Sequence, residues 1–97
     1  MKNKKPSVDF VLTISNLRQK AYDAIGDLVC NKEKELNLMA WQGDGFEVWL
    51  DTLEQLRIFE NLLKPIQLIY KFKYSIEKIT EDLANPYTNI REKIPNS

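Results

Sequence analysis

Large apolar side chains recur at steps of three or four residues on both sides of a short stretch in the middle of this chain. Before that stretch they form one stripe, which comprises Val11, Ile14, Leu17, Ala21, Ile25, Leu28, Leu36 and Met39. This spacing places side chains on one face of an α-helix. Ser7 or Asp9 could cap the first turn by accepting an unpaired backbone amide. The pattern predicts a first helix over about residues 8–40.

A second stripe begins after the middle stretch and continues to Leu83. It comprises Phe46, Trp49, Leu50, Leu53, Leu56, Phe59, Leu62, Leu63, Ile66, Ile69, Phe72, Ile76, Ile79 and Leu83. Asp44 and Glu47 have the spacing of a capping box, which begins a helix. Pro86 disfavours helical geometry at the residue before it. We therefore predict a second helix over about residues 45–84.

Pro65 lies inside this second predicted helix. A proline there removes one backbone donor and crowds the preceding turn, so it kinks or breaks the helix. A kink is the preferred interpretation, because no glycine or turn cluster accompanies the proline. Residues 86–97 show no apolar period, and we expect a mobile tail.

The middle stretch, Ala40–Trp49, contains two of the three glycines and both tryptophans. We interpret its residues 41–45 as the turn of a helical hairpin. Gly43 would adopt a positive φ and end the first helix, and Asp44 would cap the second. The predicted turn motif comprises Trp41, Gly43, Asp44, Gly45, Glu47 and Trp49. The predicted fold is all-α, a single domain built as an antiparallel helical hairpin.

The same stretch also fits a β-hairpin. Leu36–Trp41 and Phe46–Asp51 partly alternate between apolar and polar residues, and the Gly-Asp-Gly between them is typical of a hairpin turn. The helical interpretation is preferred because Leu53, Leu56 and Phe59 extend the helical spacing without interruption.

Composition narrows the classes of function. Lysine plus arginine and aspartate plus glutamate number 14 each, so no overall charge favours nucleic acid or an anionic membrane. The chain has no histidine and one cysteine, Cys30, which removes the usual residues of acid/base and metal chemistry. We expect no enzyme and no cofactor. Four carboxylates at neighbouring positions of the predicted helix could bind a cation, namely Asp44, Glu47, Asp51 and Glu54. The simpler interpretation is that they are charges at the helix end and on its solvent-facing side.

Neither a signal peptide nor a membrane span is expected. The basic start, Met1–Pro6, is followed by an apolar run that Asp9 interrupts. The most apolar stretch, Leu62–Phe72, is short and contains charged residues. We predict a chain that is cytoplasmic as synthesised and does not insert stably into a membrane.

The spacing Trp41-x-Gly43-x-Gly45, followed by Trp49 and flanked by two helical patterns, resembles the WXG family, the early secreted antigenic target-like helical-hairpin proteins of type VII secretion. This resemblance implies a non-enzymatic substrate, adaptor or chaperone, and secretion without a cleaved signal peptide. Family members often carry a tyrosine followed four residues later by Asp or Glu. Here Tyr70, Tyr74 and Tyr87 are followed at that distance by Tyr74, Lys78 and Arg91, so none of these tyrosines fits the pattern.

The predicted hairpin has more apolar surface than two helices can bury. We therefore expect a four-helix bundle, formed as a homodimer or as a heterodimer with a related helical-hairpin protein or the helical domain of a larger effector. The predicted partner-packing face comprises Ile14, Leu17, Ile25, Leu28, Leu53, Leu56, Phe59, Ile66, Ile69, Phe72 and Ile76. The alternative is a cytoplasmic helical-bundle immunity, antitoxin or phage-encoded inhibitory protein that binds its target.

Overall fold

In a computed structural model that describes residues 7–85 and 87–97, the chain forms one antiparallel sheet of five strands and two helices. The elements in chain order are β1 (Val8–Ile14), α1 (Gln19–Lys32), β2 (Met39–Gln42), β3 (Phe46–Leu50), α2 (Leu53–Tyr70), β4 (Tyr74–Glu81) and β5 (Asn89–Ile94). The strands lie in the order β2-β3-β1-β4-β5. The first strand in sequence is therefore the central one.

Both helices cover the same face of this sheet. β1 alternates its side chains, and Leu12 lies between Val48 of β3 and Ile76 of β4 in the register. α2 packs on β1 and β3, and α1 packs on α2. The core between sheet and helices comprises Leu12, Ile14, Ile25, Val29, Leu36, Leu38, Phe46, Val48, Leu50, Leu56, Phe59, Leu63, Phe72, Tyr74 and Ile76.

α2 has a defined start and end. The Thr52 side chain accepts a hydrogen bond from the Gln55 amide at 3.1 Å, which caps the first turn. Lys71 adopts a left-handed φ of 54°, and its amide donates to the Gln67 carbonyl at 2.7 Å. The helix runs through Pro65 without a break and ends at Tyr70, 14 residues before the predicted end at residue 84.

The all-α prediction is wrong. The helical hairpin and its four-helix bundle are replaced by a sheet with two helices on one face. The predicted helix over residues 8–40 contains β1, α1 and the start of β2, and the one over 45–84 contains β3, α2 and β4. The predicted tail contains β5. Met1–Pro6 and Pro86, which carried the signal-peptide and helix-end interpretations, lie outside the described residues.

The physical reason is an ambiguity in the apolar spacing. Val11 and Ile14 are three residues apart, as on one helix face, but β1 points them to opposite faces of the sheet, and both are buried. Ile76 and Ile79 repeat this arrangement in β4. A sheet with apolar side chains on both faces can therefore imitate the period of a helix.

The predicted helical turn is the tip of a β-hairpin. β2 and β3 pair with Gln42 opposite Phe46, so residues 43–45 form the connection. None of the chain's glycines, all of which are described, has a positive φ, so the predicted helix-ending role of Gly43 is wrong. Gly45 is required for a different reason. A Cβ atom there would lie 1.9 Å from the carbonyl oxygen of Ile14, so the turn can approach β1 only with glycine.

Candidate functional site

The face of the sheet opposite the helices, which we call the outer face, carries both tryptophans. In the register, Trp49 lies between Met39 of β2 and Val11 of β1, and Trp41 lies opposite Glu47. Strand alternation places these side chains together on the face that the helices leave uncovered. At the β1–β3 end, the outer face comprises Asp9, Val11, Thr13, Met39, Trp41, Glu47 and Trp49.

A pocket of about 430 Å³ opens on this face. It is lined by Asp9, Asn37, Met39, Trp41, Trp49 and Asp51, and we call it the tryptophan pocket. Its volume is within the range of small-molecule sites. Trp41 is 60% exposed and Met39 61% exposed. Two large apolar side chains that are exposed side by side indicate a contact surface rather than a core.

Two carboxylates give the pocket its charge. Asp9 is half-buried on β1, and Asp51 follows the end of β3. Burial raises the pKa of Asp9, and the negative charge of Asp51 raises it further. Among the salt bridges of the described residues, none includes Asp9 or Asp51. The pocket therefore combines two acids with aromatic walls and holds no compensating cation from these residues.

Local structure fixes the positions of several pocket side chains. Asn37 has a φ of 50°, a left-handed geometry that asparagine tolerates better than most residues. Its side-chain amide donates to Asp51 Oδ2 at 2.9 Å, which ties the start of β2 to the end of β3. The Trp49 indole N–H donates to Glu47 Oε1 at 2.7 Å. This bond holds the indole, because a buried or half-buried Trp N–H needs an acceptor.

A second polar cluster surrounds Glu60 of α2, a charged residue that is fully buried. Its carboxylate accepts hydrogen bonds from the Tyr74 hydroxyl at 2.6 Å, from Arg57 Nη1 at 2.8 Å, and from the Ser97 hydroxyl and amide at 2.7 and 3.0 Å. Burial would raise the pKa of Glu60, but these bonds outweigh it and lower the pKa to about 2. Burial and the hydrogen bond to Glu60 raise the pKa of Tyr74.

The Glu60 cluster is structural in character. Arg57 Nη2 donates to the Pro95 carbonyl at 3.0 Å, and Asn96 donates to the Tyr74 carbonyl at 2.9 Å. Together with the bonds from Ser97, these contacts hold the end of the sequence against α2 and β4. Because the acceptors of Glu60 are satisfied within the protein, this carboxylate does not need a ligand.

The residues of the predicted turn motif separate into two groups. Trp41 and Trp49 line the pocket, and Glu47 supports Trp49. Gly43, Asp44 and Gly45 form the hairpin connection. The four carboxylates proposed as a cation site do not stay together. Glu47 and Asp51 lie by the outer face, Asp44 lies in the turn, and Glu54 lies in the first turn of α2. The described residues contain no cluster of three or more His, Cys, Asp or Glu able to hold a metal ion.

The predicted partner-packing face is mostly internal to this chain. Ile14, Ile25, Leu56, Phe59, Phe72 and Ile76 lie in the core, Leu17, Leu28 and Ile66 pack against it partly buried, and Leu53 and Ile69 are exposed. The packing of these residues on a partner stays a prediction.

The sequence does not mark Asn37 and Met39 as binding residues, and it offers Asp9 only as one of two candidate helix caps, the other being Ser7. The alternation of side chains along the two strands of the alternative β-hairpin interpretation is the pattern that could have identified these residues. Met39 and Trp41 are two residues apart, as are Trp49 and Asp51, so each pair projects to one side of an extended strand.

Comparisons with known proteins identify no relative of this chain. No family model matches the chain, and no curated protein and no solved structure matches it. Nothing in them indicates the WXG family. Within the part of the chain that is described, neither helix is long and apolar enough to cross a membrane.

Proposed function

We propose that this protein is a non-enzymatic binding module whose tryptophan pocket holds an organic cation, either an ammonium or a guanidinium group. The observation that carries the proposal is the composition of one pocket, in which two indoles and two carboxylates line the same concave surface. The faces of an indole are electron-rich and attract a cation placed over them. The carboxylates supply the countercharge.

The charges decide between classes of ligand. A neutral apolar ligand would cover the aromatic walls but would bury Asp9 further and Asp51 anew without bringing either carboxylate a cation, which is costly. An anion would be repelled by both acids, whose own repulsion already raises the pKa of Asp9. A cation offsets that repulsion and favours the ionised form of Asp9. Affinity should therefore fall as pH falls through the raised pKa of Asp9.

A metal ion fits the pocket less well than an organic cation. Hard metal ions prefer several converging oxygen ligands, whereas Trp41, Trp49 and Met39 form much of this wall. An ammonium or guanidinium group on an alkyl stem uses both parts of the surface, since its stem packs on the apolar side chains and its charge meets the acids.

The roles suggested by the sequence share one element with this proposal, which is action through binding rather than catalysis. The type VII secretion role and the inhibitory role both stay predictions. Their helical-hairpin and helical-bundle forms are not kept, because the chain is built on a sheet.

The test is a titration followed by tryptophan fluorescence and by NMR. The probes are the amides of N-acetyl-lysine and N-acetyl-trimethyllysine, with N-acetyl-norleucine amide as a neutral probe of similar shape. We expect saturable binding of the two cations and none of norleucine. Trp41→Ala should weaken binding about 2- to 30-fold, the equivalent of one cation–π contact.

Asp44→Asn is the matched control, because it removes an exposed carboxylate that does not line the pocket. It should leave affinity unchanged, whereas Asp9→Asn should reduce it. The proposal fails if no cation binds saturably, or if Asp44→Asn and Asp9→Asn have the same effect.

A further inference from the structure

β2 is an edge strand next to the tryptophan pocket. It pairs with β3 on one side, and within residues 7–85 and 87–97 no strand pairs with its other side. An edge strand presents a row of unpaired backbone donors and acceptors that another strand can bind. The pocket and this free edge share two residues, Met39 and Trp41.

The hydrogen-bond pattern identifies which backbone groups face outward. The Gly43 amide donates to the Gly45 carbonyl at 3.0 Å, one residue beyond the pair formed by Gln42 and Phe46. In an antiparallel ladder such a bond flanks a pair that is not itself hydrogen-bonded. Gln42 therefore turns its own N–H and C=O groups away from β3. By alternation Ala40 does the same, while Met39 and Trp41 bond to β3.

The opposite edge of the sheet differs in charge. On β5, Arg91 and Lys93 lie on the outer face, and Arg91 forms a salt bridge with Glu77 at 3.3 Å. Charged side chains on an edge oppose the addition of another strand. β2 has the sequence Met-Ala-Trp-Gln, with no charge and no proline. Of the two edges, β2 is therefore the one open to pairing.

We propose that the free edge of β2 binds an extended segment of a partner polypeptide as an additional antiparallel strand, and that a lysine or arginine of this segment enters the tryptophan pocket. The inference rests on the proposed function, because it identifies the cation as a side chain of a peptide. Residues opposite Met39 or Trp41 in the added strand would project onto the outer face beside the pocket. The acids of the pocket select the basic residue by charge.

The probe is an acetylated and amidated heptapeptide of alternating threonine and valine with one central lysine. We expect it to bind at least about tenfold more tightly than N-acetyl-lysine amide, because it adds backbone hydrogen bonds at Ala40 and Gln42. Replacing its lysine with norleucine should lower the affinity of the peptide, because the tryptophan pocket then receives no cation. Binding is measured by isothermal calorimetry and by the NMR shifts of the Ala40 and Gln42 amides.

N-methylated peptides provide a matched control. In an antiparallel strand with the lysine opposite Trp41, the amides of the two residues that flank the lysine face β2, and the lysine amide faces away. Methylation of the flanking amides should therefore reduce affinity about tenfold, and methylation of the lysine amide should not. On the protein side, Ala40→Pro removes an outward N–H and should weaken the peptide while leaving N-acetyl-lysine amide binding unchanged.

The outcomes separate the two proposals. If N-acetyl-lysine amide binds but the peptide gains no affinity, or if both methylation patterns act equally, strand addition is refuted and the cation pocket stands. If neither ligand binds, the pocket proposal fails and strand addition fails with it. Self-association at micromolar concentration that Ala40→Pro abolishes would assign the edge to a second copy of this chain, which also overturns the inference.

Discussion

Glu60→Gln tests the buried carboxylate cluster in a way that depends on pH. The substitution keeps the shape of the side chain but removes its charge, so it leaves the donors of Tyr74, Arg57 and Ser97 facing a neutral amide. Each of these donors is oriented toward an acceptor, and the amide group of glutamine replaces one acceptor oxygen with a donor. We expect a clear loss of stability at neutral pH.

The lowered pKa of Glu60 determines how large the loss of stability should be. The pKa of Glu60 falls from an ordinary 4.5 to about 2, and this difference is equivalent to about 3 kcal/mol of stabilisation of the folded state. Because the folded pKa is lowered, the unfolded chain takes up the proton first as the solution is acidified. The stabilisation is therefore complete above pH 4.5 and is lost as pH falls to about 2.

The assay is urea unfolding of the wild type and of Glu60→Gln at several pH values, followed by far-UV circular dichroism. We expect the variant to be less stable by about 3 kcal/mol at pH 7, and the difference to shrink toward zero near pH 2. Glu92→Gln, at an exposed position of β5, is the control for a lost negative charge. A difference between wild type and Glu60→Gln that stays constant from pH 7 to pH 2.5 would refute the reasoning.

Two further predictions concern the β-hairpin and the pocket. Gly45→Ala should destabilise the fold by about 3 kcal/mol in thermal or urea unfolding, because its Cβ meets the Ile14 backbone at 1.9 Å. Gly43→Ala, with nothing within 4 Å of its added Cβ, should change stability little, and equal effects would contradict the packing argument. Asp9→Asn should raise the free energy of unfolding at pH 7, because the raised pKa of Asp9 means that its ionised form disfavours folding. The gain should vanish below pH 3.8, the ordinary pKa of the group, and a loss of stability at pH 7 would contradict the argument.

α2 is the part of the fold that the sequence predicts best. Leu56, Phe59 and Leu63 recur at helical steps, and all three are buried against the sheet. The end of the helix is not recognisable in the same way. It stops at Lys71, whose left-handed φ is usually the property of a glycine or asparagine. Without such a residue in the sequence, the apolar period of β4 reads as a continuation of the helix.

The sequence contains the pattern that predicts the β-hairpin. The alternative interpretation of residues 36–41 and 46–51 as strands about a Gly-Asp-Gly turn corresponds to β2 and β3. The sequence favours the helical interpretation because Leu53, Leu56 and Phe59 extend the helical spacing without interruption. The structure shows instead that Thr52 separates a strand from a helix, since it caps α2 directly after β3.

The pocket itself could not be assembled from the sequence. Asp9 and Trp49 are 40 positions apart along the chain, and they meet because β1 pairs with β3 in a register that places Val11 opposite Trp49. That register is a tertiary property. The sequence marks both tryptophans as central to the chain, but a helical turn and a β-hairpin place them in different surroundings.

The contrast between Glu60 and Asp9 supports the proposal that the outer face binds a ligand. Glu60 is fully buried and Asp9 is half-buried, and their pKa values shift in opposite directions. Glu60 is surrounded by donors from its own chain, so its burial stabilises the fold. Asp9 faces a second acid and two indoles instead. Selection for stability alone would place an amide or a cation there, as the expected gain from Asp9→Asn implies. An acid at this position is explained if the missing positive charge arrives with the ligand.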